Sequence, residues 1–315
     1  MKKGKTRSCD KKKATTIEQQ IDIFKQRGMI LDEGEEKAKE ALSDIGYFRL
    51  GFYCCPFEKK PHSSFRDHIY QEGTKLSDIL HLYYLDVDLR MVLLKYMYYI
   101  EVNFRTKVSY ITSIHYVDNS RWFVDPSIME QEYAYTFYEK VYSDFKKKSI
   151  LKKHHAKYPD DKYAPAWKTL EFMTFGSILT LMKNIRDDGL KSEISQIYGI
   201  KSVSILFFCI ESIVYIRNLC AHGGVLFDSQ LPNRIKNKGP ASLVNTVKEK
   251  TNLYAAIQII LFILGKIAAE KAICMQKEVE GLLCEYSERE AIRAIIETRM
   301  GYSLTSIKKQ CLCVE

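Results

Sequence analysis

The stretch "YIRNLCAHGGVLFD", residues 215–228, closes an apolar run with Arg217, Asn218 and His222 just before a double glycine. Residue types that bind phosphate and move protons therefore end a segment that otherwise has the composition of a core. On an α-helix, residues four apart share a face, so Asn218 and His222 project together. Arg217 lies five positions before His222, about 140° away on an ideal helix. Its long side chain can still reach the same groove where the helix frays at Gly223 and Gly224. His222 then sits at a helix C-terminus, where the dipole favours a cationic ring. A cationic imidazole beside a guanidinium makes a phosphate site. That chemistry suits RNA cleavage without metal: a base takes the proton of a 2′-hydroxyl, the oxygen attacks the adjacent phosphate, and an arginine stabilises the charge on the phosphoryl oxygens. His222 would transfer the proton, Arg217 would hold the phosphate, and Asn218 would orient His222 or the substrate. The competing reading is a helix end with a solvated arginine and a capping histidine, because composition alone supplies one Arg–His pair at such spacing by chance.

The elements that must position these residues read as helices. The chain has 315 residues, 46% of them hydrophobic, with only 15 Gly and 7 Pro. Long periodic stretches with so little punctuation predict an all-α protein. Thr16 with Gln19 makes a capping box for a first helix that ends at Gly28, and Asp32 with Glu35 makes another for a second helix that ends at Gly46. The two could form a small hairpin. Residues 47–57, rich in aromatics, read as extended or as a packed loop with one short strand pair, followed by a polar loop to about residue 75. From Ser77 to His115 neither Gly nor Pro occurs, which predicts one long helix, kinked or not, or two in line. Residues 127–150 read as helical, 158–165 as a loop, and 166–188 as a helix ending at Gly189. After a short helix, the segment from about 201 to 222 is helical, with Ser202 or Ser204 able to cap it. A loop with Pro232 and Pro240 follows, then a long apolar helix over about 244–274. Residues 287–298 predict an exposed helix. No internal repeat is visible.

The formal net charge is +9 and is unevenly placed. Residues 1–13 carry seven Lys/Arg and one Asp, and "KKKSILKKHHAK", residues 146–157, carries six Lys and no acid. A basic tail and a basic patch suit a polyanion such as RNA, although lysine runs are also ordinary solvated surface. The nine Cys are scattered and no apolar leader precedes them, which argues against a secreted disulfide scaffold. Neither Cys54–Cys55 nor His154–His155 has metal-site spacing, and the two histidines read as surface. No metal and no cofactor are expected. The apolar runs 205–216 and 253–264 are short of the ~20 residues a membrane span needs, and each contains a polar residue, Glu211 or Gln258. They read as core helices of a soluble, cytoplasmic protein.

Five blocks, in order over about residues 16–228, resemble the abortive-infection proteins of the AbiD/AbiF type, bacterial phage-defence proteins whose core is related to the HEPN superfamily. "TIEQQIDIFKQRGMIL" is similar to the family's opening helix, and "ALSDIGYFRLGFYCCPF" to its tyrosine–arginine segment. "LYYLDVDLRMVLLKYMYYIEVNFRTKVSY" resembles its Asp, Leu-Arg, Ile-Glu and Arg helix, here with Asp86 or Asp88, Arg90, Glu101 and Arg105. "APAWKTLEFMTFGSIL" resembles its Pro, Trp, Glu, Phe-Gly block, here Pro165, Trp167, Glu171, Phe175 and Gly176. "IRNLCAHGGVLFD" resembles its Arg-Asn-x3-His segment, with Arg217, Asn218 and His222 matching the HEPN ribonuclease motif residue by residue. Where family members continue with a second His and an Arg-Val/Leu-Trp-Asn run, this chain has Gly223, with Phe227 and Asp228 near the Trp-Asn positions.

The resemblance implies a HEPN-like helical bundle with an N-terminal helical extension. It also implies an endoribonuclease that works as a homodimer, since such nucleases pair two Arg-x4–6-His motifs and this chain has one. AbiF-type members are associated with a structured non-coding RNA, so RNA is the expected partner; DNA and membranes are not. The expected organisation is a tail at 1–13, the extension at 14–75, the HEPN-like domain at 76–286 and a charged segment at 287–315. Lys146, Lys147, Lys148, Lys152 and Lys153 are candidates for RNA backbone contact, as are Tyr47 and Arg49. Glu101 and Arg105 either form a plain i, i+4 ion pair or orient the Arg-Asn-His end. Trp167 and Phe175 read as core rather than as base-stacking platforms. An alternative function is a scaffold or toxin that grips RNA phosphates without cleaving. A nucleotide-transferring enzyme is a third class, but no Gly-rich loop or paired carboxylate motif supports it.

Overall fold

The structure is a computed structural model that describes residues 13–61, 66–233, 240, 242–243, 247, 251–305 and 307. It is all-α, and among the described residues the only β features are isolated bridges, Ile30 with Lys75, Glu58 with Tyr70 and Met129 with Ile185. The basic tail at 1–12, most of 234–250 and the chain end after 307 lie outside the described residues. The described residues fall into two compact units, one within 13–86 with 286–295, the other within 87–285 with 296–307.

In the first unit, α1 (Ile17–Gln26) starts at the expected capping box. Gln19 N–H donates to Thr16 Oγ1 at 3.3 Å, and Thr16 N–H to Gln19 Oε1 at 3.0 Å. Gly28 then turns at φ +89°, a conformation that costs other residues. α2 (Glu35–Asp44) packs on α1 through Ala38, Ala41 and Leu42. Its N-cap is Gly34, not Asp32. Asp32 instead accepts the Ser77 N–H at 3.2 Å and hydroxyl at 2.6 Å, a tertiary use of a residue that looks like a local cap. Residues 47–57 are not extended: they form α3 (Tyr47–Cys54) and a 3₁₀ turn (Cys55–Phe57), and burial of Leu50, Tyr53 and Cys54 overrides the aromatic composition.

The long helix is continuous. α4 (Leu76–His115) has 40 residues, of which 76–86 belong to the first unit and the rest to the second. In the second unit Leu89, Leu93, Met97, Ile100, Phe104 and Val108 form its fully buried stripe at three- and four-residue spacing. After it come α5 (Gln131–Phe137), a π turn (Tyr138–Tyr142), α6 (Ser143–Phe145) and α7 (Ser149–Lys157). The expected single helix over 166–188 is broken. α8 (Ala166–Thr169) passes through a 3₁₀ turn to Met173, and α9 (Phe175–Lys183) starts afresh with Thr174 as its cap. Gly189 does not end that segment; it lies in the first turn of α10 (Asp188–Ile197), which Asp187 caps at 2.9 Å.

α11 (Val203–Ala221) is capped by Ser202 in backbone only. By length and composition it could cross a membrane, yet it buries Leu206, Phe208, Cys209, Ile210, Ile213 and Ile216, and packs on α9, α10 and the later helix Leu253–Ile267. α12 (Leu253–Ile267) and α13 (Ala269–Tyr286) replace the one helix expected at 244–274, because Ala268 leaves the helical region at φ −154°, ψ 88°. Residues 287–298 are not simply an exposed helix. α14 (Glu290–Ile295), in the first unit, buries Ile292 and Ile295, and the π turn Ile296–Met300, in the second, buries Ile296 and Met300.

Candidate functional site

α11 delivers Arg217, Asn218 and His222 to its own end. His222 is the C-cap, its N–H donating to Asn218 O at 3.0 Å. The chain then turns through Gly223 at φ +64°, and Gly224 N–H returns to Leu219 O at 2.7 Å. A Cβ at Gly224 would stand 2.7 Å from Leu219 Cδ2 and 3.3 Å from its carbonyl, so the double glycine is what lets the turn fold back on the helix. Arg90, a buried guanidinium on α4, donates to Gly224 O at 2.9 Å and fastens this turn. Just beyond it Phe227 is buried and Asp228 pairs with Arg299 at 3.0 Å, so the segment is anchored on both sides.

The Arg217 head is set by a carboxylate from another helix. Its Nε–H donates to Glu101 Oε2 at 3.2 Å, and its NH1 donates to Asn218 Oδ1 at 3.2 Å. Glu101, 8% exposed, also accepts from Arg105 NH2 at 3.1 Å through its other oxygen. Arg105 further donates to Met173 O at 3.3 Å and faces Glu171 at 3.8 Å, while its Nε–H has no partner among the described residues. A guanidinium carries five N–H groups, and among the described residues two of those of Arg217 are used, which leaves three for a ligand. Asn218 and His222 are exposed, and among the described residues no hydrogen bond or ion pair joins the His222 ring to Arg217 or Asn218. The structure thus brings Glu101, Arg105, Arg217 and Asn218 into one network and leaves the His222 ring exposed at the end of the same helix. The arrangement can hold an anion at Arg217 and exchange a proton at His222.

The basic cluster forms a second feature. Lys146, Lys147 and Lys152 line a cavity of about 540 Å³ with Tyr138, Tyr142, His155 and Lys162. Lys148 and Lys153 are exposed but do not line it. Its carboxylate, Asp161, is engaged by Arg121 at 2.9 Å and His154 at 3.1 Å, so the cavity stays positive. The Lys146 amine bonds the Tyr138 hydroxyl. Burial pushes the Tyr142 phenol up, keeping it protonated; it accepts the Ala164 N–H at 2.9 Å and can give its own proton to His155 Nε2 at 2.8 Å. His154 is not surface. It is 5% exposed, and burial and then Lys168 hold its ring below the ordinary value, with Asp161 pulling the other way.

Tyr47 and Arg49 belong to the first unit. Tyr47 stacks on Phe24 at 5.1 Å and accepts from Arg27 at 2.9 Å, so much of it is used in packing. Phe175 is core, as expected, but Trp167 is 57% exposed, against the reading that placed it inside. Arg90 drew no role from the sequence beyond its place in a family block, since a contact 134 residues away leaves no local signal. Among the described residues no group of three or more His, Cys, Asp or Glu could hold a metal ion.

Comparison with known proteins adds one match. A family model described as Abi-like protein covers residues 40–228, more than half of the chain and every residue of the Glu101–Arg105–Arg217–Asn218 network together with His222. No curated protein and no solved structure matches the chain.

Proposed function

The chain belongs to the Abi-like protein family, whose members act in abortive infection against phage, and on that premise we propose that it is a HEPN-type endoribonuclease working without metal as a dimer in the cytoplasm. The observation that carries the proposal is the Glu101 carboxylate, which grips Arg217 from α4 and fixes its guanidinium on the helix whose end carries the exposed ring of His222. In this reading a phosphate diester of RNA docks on Arg217. The imidazole of His222 takes the 2′-hydroxyl proton as the 2′-oxygen attacks phosphorus. Charge grows on the phosphoryl oxygens and Arg217 stabilises it, with Asn218 holding the guanidinium on its outer side. The bond to the 5′-oxygen breaks, and the leaving oxygen takes a proton from the His222 of a second copy. The products are a 2′,3′-cyclic phosphate and a 5′-hydroxyl. The lysine cavity supplies sequence-independent contact to the backbone, and a structured RNA is a fitting partner for it.

The test is to incubate the purified protein with end-labelled RNA in excess EDTA and to identify the product ends. Cyclic phosphate and 5′-hydroxyl termini support the reading; 3′-hydroxyl and 5′-phosphate ends, or loss of activity with EDTA, contradict it. The absence of any bond from the His222 ring to Arg217 or Asn218 favours one other reading, in which this end of α11 grips phosphate without cleaving. Tight RNA binding with no cleavage, by a dimer freed of co-purified RNA, would support it.

A further inference from the structure

Trp167 is out of place for a residue of its kind. The other tryptophan, Trp122, is fully buried with its indole N–H donated to Ser113 Oγ at 3.0 Å, whereas Trp167 is 57% exposed. It is not scattered surface. Trp167 lines a cavity of about 520 Å³ together with Tyr110, itself 63% exposed. That volume lies within the roughly 300–1,000 Å³ typical of small-ligand sites. The polar groups of the cavity are of both kinds. Arg105 lines it and supplies the cationic side. The carboxylate of Glu171, with 68% of its side chain exposed, is an acceptor, and Ser109 and Ser113 add hydroxyls. The Ser113 oxygen already accepts from Trp122, so its own proton is available as a donor. Two broad aromatic faces with mixed donors and acceptors around them suit a flat heterocycle with a polar edge.

Its position narrows the ligand. Arg105 is shared: it lines this cavity, and it bonds the same Glu101 carboxylate that holds Arg217. One carboxylate therefore separates the aromatic cavity from the guanidinium that would take a phosphate. That linkage, from the cavity through Arg105 and Glu101 to Arg217, is what would let one RNA strand engage both places.

We propose that the Trp167–Tyr110 cavity is a subsite for an unpaired nucleobase, stacked on Trp167, of an RNA strand whose phosphate rests on Arg217. The inference rests on the RNA reading of α11 and adds to it a recognition element. It makes single-stranded RNA the preferred substrate, because a base must leave its helix to enter.

The test is direct, since Trp167 lines the cavity and Trp167→Ala leaves the buried Trp122 alone as the background signal. The full-length protein is titrated with a 2′-O-methyl RNA 12-mer, which resists cleavage, with the same 12-mer carrying abasic sites, and with AMP, GMP, CMP and UMP, while tryptophan emission is followed. Stacking quenches Trp167, so quenching by the base-containing 12-mer and not by the abasic one is expected. Trp167→Ala should abolish the quench and weaken 12-mer binding about five- to hundredfold. Trp167→Phe should bind near the wild-type level, and circular dichroism of both variants should match the wild type. Tight 12-mer binding without quenching, and unchanged in Trp167→Ala, would overturn the subsite while leaving the RNA reading intact. Quenching by mononucleotides with no binding of either 12-mer would keep the base pocket and overturn the RNA reading. Silence with every probe would sink both. A Trp167→Ala variant that changes only the oligomeric state would mark the cavity as an interface between copies and overturn the proposal.

Discussion

Arg217 Nε and Glu101 Oε2 meet at 3.2 Å although 116 residues separate them, and the partner oxygen of the same carboxylate holds Arg105 at 3.1 Å. A helix end that would otherwise leave its arginine free in water is thereby fixed from another helix.

Glu101→Gln should therefore behave as a positioning change. An amide oxygen offers no charge to the two guanidiniums, so Arg217 loses its counter-ion and Arg105 keeps only Glu171 at 3.8 Å. Breaking such a network costs about 1–3 kcal/mol here, below the value for a fully buried pair because the Arg217 side chain is 30% exposed. RNA cleavage should fall about ten- to hundredfold. In Glu101→Gln/Arg217→Ala the loss should equal that of Arg217→Ala alone, since both act through one group. Additive losses in this cycle would show that Glu101 does not act through Arg217.

Arg90→Met tests the turn. The substitution keeps the stem and removes the donor to Gly224 O, leaving a carbonyl next to a φ +64° glycine without its strongest partner. A loss of about 1–3 kcal/mol in stability is expected, along with faster amide exchange at residues 222–226 and weaker cleavage. Unchanged exchange in that segment would contradict the account of how His222 is placed.

The lysine cavity should be legible in the salt dependence of RNA binding. Lys146→Gln, Lys147→Gln and Lys152→Gln remove three of its charges together. For single-stranded RNA each lost phosphate contact lowers the slope of log K against log salt by about 0.7, so a drop of about 2 is expected. An unaltered slope would place the RNA backbone elsewhere.

His154 predicts a pH dependence of stability. Its folded-state pKa lies below the ordinary 6.5, through burial first and Lys168 next, against the pull of Asp161; His155 and Tyr158 stand against the ring, and Arg121 shares Asp161 with it. The unfolded chain therefore binds the proton more readily, and ∂ΔG/∂pH is positive as pH falls below 6.5. The contribution is complete above that value and declines as acidification approaches the folded value. Urea unfolding between pH 7.5 and 5 should show this loss in the wild type and less of it in His154→Gln. A flat wild-type profile would contradict the burial of a neutral ring.

The sequence was most readable where physics is local. The capping box at Thr16, the turn at Gly28 and the unbroken α4 follow from neighbours in the chain. So does the arrival of Arg217, Asn218 and His222 at a helix end. What it hid depends on distant packing. Asp32 has the spacing of a cap but is spent on Ser77, residues 47–57 are helical because Leu50 and Tyr53 are buried, and Ala268 splits an apolar run that periodicity would continue. Within the site, the i, i+4 spacing of Glu101 and Arg105 was visible, whereas the second half of that carboxylate's work, on Arg217, was not. Trp167 went the other way, since its hydrophobicity argued for the core and only the folded chain places it at the surface of a cavity.

The most direct measurement is RNA cleavage in EDTA by wild type, Arg217→Ala and His222→Ala, each with a thermal unfolding curve alongside. The account predicts an active wild type and a loss of at least about a hundredfold in both variants, on the scale of one proton-transfer or one charge-stabilising group, with little change in stability for the exposed His222. Full activity in His222→Ala would contradict it, as would a wild type that cleaves no RNA even as a dimer freed of bound nucleic acid.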